Sequence, residues 1–64
     1  MARNKRLWMA RVLKGLTQLE LAEQVGKKEI EISRLETGRA TADSATKHRI
    51  AEVLEKPTFE LFDC

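Results

Sequence analysis

Nine of the 12 cationic side chains of this chain fall into two clusters. Arg3, Lys5, Arg6, Arg11 and Lys14 all precede the first carboxylate, Glu20, while Lys27, Lys28, Arg34 and Arg39 form a second group beyond the central acids. With 12 basic residues against 10 acidic ones the net charge is only +2, so the placement of charge says more than its total. Clustered cations on one face suit a polyanion. Ordinary solvated helix surface gives the same pattern, and charge by itself does not separate the two.

Other chemistry finds little to work with. The only histidine, His48, has no cysteine or second histidine at metal-ligand spacing, so surface exposure is expected and no metal. Asp43 and His48 are five apart and do not share a helix face. No phosphate-cradling glycine loop, paired-cysteine motif or nucleophile–base pair is present, so no catalytic residue and no cofactor is assigned. The single cysteine, Cys64, is the last of 64 residues, which rules out an internal disulfide and suits a frayed end in a reducing cytoplasm. The basic start, Met1 to Arg6, is not followed by the apolar stretch of a secretory signal, and no run is long enough to cross a bilayer. Apolar residues make up 42% of the chain, enough for one compact core but not for a catalytic cleft as well. One domain over residues 1–64 is expected.

The elements that would position the charges are all helical. Sustained alternation of period two is missing, and Gly15, Gly26 and Gly38 cut the first two thirds into short pieces. A first helix is expected from Lys5 to Lys14, with Leu7, Ala10 and either Trp8 or Leu13 inward. Thr17 and Glu20 form a capping box for a second helix, Leu16 and Leu21 form its hydrophobic staple, and Leu21, Ala22 and Val25 supply its apolar stripe. Gly26 ends it at a left-handed position. A third helix is expected from about Lys28 to Thr37 with Ile32 and Leu35 buried. Only Gly26 and Lys27 link the two, so they must cross steeply, with Ala22 small at the crossing. Asp43 caps a fourth helix from Ser44 to about Leu54 that buries Ile50, Ala51 and Leu54, although Lys47 and His48 stand where a stronger core would place leucines. Thr58 caps a last turn whose Phe59, Leu61 and Phe62 either close the core or bury themselves in a second subunit.

Taken in order, Gly15-Leu16-Thr17-Gln18, Glu20-Leu21-Ala22-Glu23-Gln24-Val25-Gly26, Ile32-Ser33-Arg34-Leu35-Glu36-Thr37-Gly38 and Ile50-Ala51-Glu52-Val53-Leu54 resemble the Cro/repressor-type, lambda-repressor-like helix-turn-helix family. The resemblance runs from about Leu7 to Phe62. It implies a compact all-α domain of four or five helices, a helix-turn-helix core at about 17–37, and a cytoplasmic or nucleoid regulator that is bacterial or phage-encoded. It also implies a homodimer on a pseudo-palindromic double-stranded DNA operator. One departure is the turn, where the family usually has an apolar residue followed by serine or threonine. Lys27 and Lys28 stand there instead, removing the customary side-chain cap and opposing the helix dipole by roughly 0.3–1 kcal/mol.

The roles implied divide into reading and gripping. Glu29, Ile30 and Arg34 match the family's base-reading positions on the early, exposed face of the third helix. Glu29 either accepts from a base or is occupied locally, by helix-end N–H groups, Lys28 or Arg34. Gln18, Lys27, Lys28, Ser33, Thr37 and Arg39 are candidates for backbone or supporting contacts, with Lys5 or Arg6 reaching in from the first helix. Arg11 and Glu36 match a partly buried salt bridge, and Phe59, Leu61 and Phe62 are candidate dimer contacts. Two other readings stay open: an antitoxin-type regulator held by a toxin, and a helical adaptor without DNA binding, to which Glu29 and Glu31 lend some support.

Overall fold

The computed structural model describes residues 3–62, so Cys64, expected to be a frayed end, lies outside the described residues. Five helices follow in order: α1 (Lys5–Leu13), α2 (Gln18–Val25), α3 (Glu29–Thr37), α4 (Ser44–Leu54) and α5 (Thr58–Leu61), with no strand among the described residues. No helix there is long and apolar enough to cross a membrane.

Capping sets most of the boundaries. Thr17 Oγ1 accepts from the Glu20 N–H at 3.0 Å while the Glu20 carboxylate accepts from the Thr17 N–H at 2.9 Å, completing the expected box. Asp43 accepts from the Thr46 N–H at 2.9 Å and starts α4. Bonds from Thr46, first from its hydroxyl and then from its N–H, hold the Asp43 carboxyl below the usual carboxylate range, and the Lys27 charge adds to this. Pro57, not Thr58, occupies the cap position of α5, and no side chain caps that helix.

At Gly26, φ is +72° and the N–H of Lys27 returns to the Ala22 carbonyl at 2.8 Å, so α2 ends in the left-handed six-to-one closure that glycine adopts without steric penalty. The same closure ends α4, where the Lys56 N–H reaches the Ala51 carbonyl at 3.1 Å. There the left-handed residue is Glu55, at φ +57°. Its carboxylate is paired with Lys14 at the end of α1, and that bond holds the carboxyl below its ordinary range.

The core joins Leu7 and Ala10 of α1, Leu21, Ala22 and Val25 of α2, Ile32 and Leu35 of α3, and Ile50, Ala51 and Leu54 of α4, closed by Leu61 and Phe62. Leu16 packs against it from the edge, as the staple requires. α2 packs most extensively on α3 and then on α4. Ala22 is fully buried at that crossing. α1 differs from expectation. Trp8 and Leu13 are 48% and 79% exposed, and the inward direction beside Leu7 and Ala10 belongs to Arg11. In α4 the weak first half is filled by buried Thr46, and the Lys47 ammonium stands 5.6 Å from the centre of the Phe62 ring. His48 is exposed.

Replacing Gly26 by alanine isolates the cost of the left-handed turn. The added methyl would meet only the flexible Arg49 guanidinium, at 3.7 Å, so backbone strain and not packing is introduced. A loss of about 1–2 kcal/mol is expected. It is checked by urea titration, and a variant as stable as the parent would contradict the assignment.

Candidate nucleic-acid interface

The site is built on a buried carboxylate. Glu36, on the last turn of α3, accepts from Arg11 Nε at 2.5 Å and from Arg11 Nη2 at 3.2 Å, a two-pronged pairing with both side chains at most one tenth exposed. The third guanidinium nitrogen donates to the Leu16 carbonyl at 2.7 Å. Gln18 Nε2 then donates to Glu36 Oε1 at 3.0 Å. Asn4 ties in the same junction: its N–H meets the Glu36 carbonyl at 2.9 Å, its Oδ1 caps α1 through the Leu7 N–H at 3.0 Å, and its Nδ2 reaches the Leu61 carbonyl at 2.8 Å. These bonds hold α1, the start of α2 and the end of α3 at fixed mutual positions. Reading the sequence missed Asn4, although an asparagine immediately before a helix is a capping signal.

With Glu36 held inward beside Ile32 and Leu35, the opposite face of α3 is open. Glu29, Ile30 and Arg34 are all exposed, Ile30 by 52%, and Ser33 is half-buried at their edge. Glu29 makes no side-chain hydrogen bond or ion pair among the described residues, and neither does Arg34. The local partners considered for Glu29 are therefore not taken up. Its neighbour Glu31 does that work, accepting from the Lys28 N–H at 2.8 Å. This is the returning half of a capping box whose forward half Lys28 cannot supply. The acid three residues beyond the cap was the legible signal, and it removes Glu31 as support for an adaptor lacking DNA binding.

The gripping candidates surround this face unequally. Gln18 is half-buried, with its amide orientation set by Glu36, and the N–H groups of the first turn of α2 beside it are those that a helix leaves without internal partners. Lys27, Lys28 and Arg39 are exposed, and Lys27 lies along a groove of about 380 Å³ with Arg34, Thr41 and Asp43. Thr37 is already engaged, its hydroxyl donating to the Ser33 carbonyl at 3.0 Å. A contact to an anion would require that hydrogen to turn outward. Arg49, another residue not singled out from sequence, brings a guanidinium within 3.5 Å of the Val25 carbonyl, where a cation opposes the negative end of α2. Leu61 and Phe62, 2% and 7% exposed, close the core of their own chain, the first of the two alternatives, while Phe59, at 70%, is the most available of the three to a second subunit. Among the described residues no group of three or more histidine, cysteine, aspartate or glutamate side chains could hold a metal.

Two short helices crossing through a glycine turn, the second carrying an open polar face and backed by a buried ion pair, define a helix-turn-helix domain. The Helix-turn-helix family matches residues 9–61, and the chain belongs to that family. The fold is similar to the crystal structure of the restriction-modification controller protein C.AhdI from Aeromonas hydrophila. The TM-score is 0.85 at 29% identity, over 92% of this chain and 89% of that one. No curated protein matches this chain. Neither match is to a catalytic fold.

The buried pair yields a sharp stability test. Glu36→Ala leaves Arg11 charged and unpaired and is expected to cost about 3–5 kcal/mol, most of the stability available to a chain of this size. Arg11→Met combined with Glu36→Leu should recover much of that loss in a urea melt, because both charges leave together. Equal destabilisation by the single and double replacements would refute the pairing.

Proposed function

We propose that this helix-turn-helix regulator binds double-stranded DNA, reading a pseudo-palindromic operator in the major groove as a homodimer in the cytoplasm of a bacterium or phage host. The observation that carries the proposal is the side-chain set Glu29, Ile30 and Arg34, exposed together on the early face of α3 while Glu36 locks the far end of that helix to α1. The similarity to a protein described as a restriction-modification controller supports a regulatory role, and the resemblance to the repressor-type family makes repression the expected sign.

In this reading Arg34 donates two N–H bonds to guanine O6 and N7, worth roughly 1–3 kcal/mol of discrimination. Ile30 touches a thymine methyl, and Glu29 accepts from cytosine N4 while its charge disfavours other arrangements. Gln18 offers the N–H not used on Glu36 to a phosphate, beside the free backbone N–H groups of α2. Lys27, Lys28 and Arg39 neutralise phosphates on either side, with Ser33 in support, and Thr37 joins them only after releasing its bond within α3. A phosphate near Lys28 would also relieve the repulsion between that ammonium and the start of α3.

Dimerisation narrows to Phe59. It stands beside a hollow of about 270 Å³ shared by Ser44, Lys47, His48 and Phe62. A two-fold axis would place each Phe59 in the hollow of its partner, an arrangement that satisfies both copies at once.

Selection from a random duplex library tests the reading and reveals the half-site. A salt-sensitive, palindromic preference is expected, and no selected sequence together with no salt-dependent affinity would sink it. Arg34→Ala should relax preference at one base position by about tenfold, while Gln18→Ala should weaken all sequences alike. The opposite pattern would reverse the roles. Phe59→Asp should leave binding to a single half-site intact and abolish the gain from a second one, measured by gel shift on one-site and two-site duplexes.

A further inference from the structure

A second feature of the surface adjoins the residues given these roles. The outer face of α1 carries Trp8 and Met9, 48% and 53% exposed, where a solvated helix would carry polar side chains. With Arg3, Lys5, Gln18 and Thr37 they line a cleft of about 450 Å³ between α1, the start of α2 and the end of α3. We propose that this cleft seats the sugar–phosphate backbone of DNA outside the base pairs that α3 reads, with Trp8 packed on a deoxyribose and Lys5 and Arg3 on the adjoining phosphates. The inference rests on the reading of α3 as the DNA-facing helix and extends the interface beyond it.

Four observations favour this occupant. The cleft is continuous with Gln18, the residue beside the free N–H groups of α2, so a strand gripped there runs into it. Its rim is cationic: Arg3 and Lys5 are both exposed. The carboxylate that lines it, Glu36, is paired with the Arg11 guanidinium at 2.5 Å, which offsets its repulsion of an anion. The Trp8 indole N–H makes no hydrogen bond among the described residues and is free to donate to a phosphate oxygen, while the ring supplies the apolar surface that sugar carbons cover. An apolar protein segment would match the ring but leave the cations and helix-end N–H groups without acceptors. A backbone strand matches all of them. Because the contact is to sugar and phosphate, it depends on how far the duplex extends and not on its sequence.

Trp8 is the only tryptophan, so its emission reports on the cleft directly. Two duplexes carrying the selected half-site are titrated, one ending about two base pairs beyond it and one about eight, and both are long enough to be read by α3. The long duplex is expected to change Trp8 emission and bind more tightly, whatever the flank sequence, and the short one to do neither. Trp8→Ala should weaken the long duplex roughly three- to tenfold and the short one little. Lys5→Ala should lower the salt slope for the long duplex by about one. Thermal melts of both variants, with Trp8→Phe as a ring-conserving control, show whether the fold is kept. Equal binding of both duplexes with unchanged emission, while Arg34→Ala still relaxes base preference, would overturn the cleft and leave the reading helix intact. Emission that follows protein concentration without DNA would assign this face to a protein contact and overturn it too. Binding to no duplex at all would remove both readings together.

Discussion

At the place where α1, α2 and α3 meet, a carboxylate nearly inaccessible to water is held by two prongs of one guanidinium and by a glutamine amide. Burying either charge alone would be strongly unfavourable, so the pair exists only while the three helices keep their mutual positions. That constraint reaches outward in two directions. Through Gln18 it sets an amide at the start of α2, next to the helix-end N–H groups suited to an anion. Through α3 it settles which face of that helix turns inward, and so leaves Glu29, Ile30 and Arg34 pointing away together.

An apolar contact in the same place would not do as much. Hydrophobic burial is proportional to area and has no preferred direction, so packed helices can slide or rotate by small amounts at little cost. Hydrogen bonds to a charged acceptor weaken quickly with angle and distance. With about a dozen buried apolar side chains among the described residues, the core is small, and the ion pair and the Asn4 bonds supply the directionality that it lacks. This matters most at the end of α3, because a tilt there is carried along the helix to every side chain on its open face.

Much of this arrangement was legible in the sequence because its signals are local. Thr17 with Glu20, Gly26, Gly38 and Asp43 announce helix ends within three or four residues, and the spacing of Leu21, Ala22 and Val25 gives the inward face of α2. The failures have a common cause in non-local partners. Apolar spacing in α1 pointed to Trp8 or Leu13, and only the family resemblance pointed to the Arg11–Glu36 pair that is found, because the acceptor of Arg11 lies 25 residues away on α3 and no window along one helix contains that information. Phe62 and Leu61 looked equally suited to a core or a partner, and only the three-dimensional closure beneath α1 and α4 decides for the core. Glu55 carries no turn signal at all; its left-handed backbone follows from the end of α4 and from Lys14 standing within reach. For the open face of α3, resemblance supplied the positions, and the structure adds that their side chains are unencumbered.

The start of α3 shows how a local disadvantage can serve an interface. Two lysines precede a helix whose free N–H groups are already partly positive, and Lys28 offers them no acceptor. Glu31 compensates by folding back onto the Lys28 N–H, which keeps the helix start ordered without neutralising the ammonium groups. A serine or threonine cap would satisfy the same backbone more fully but would not add charge. With Lys27 and Lys28 there, two cations stand beside Glu29 and Glu31 at the start of α3, and in the proposed complex a phosphate at Lys28 would lower the energy of the helix end as well as of its own contact. In the proposed complex, part of the binding energy would therefore come from relief of repulsion that is already present in the unbound fold, and that part would be the most strongly screened by salt.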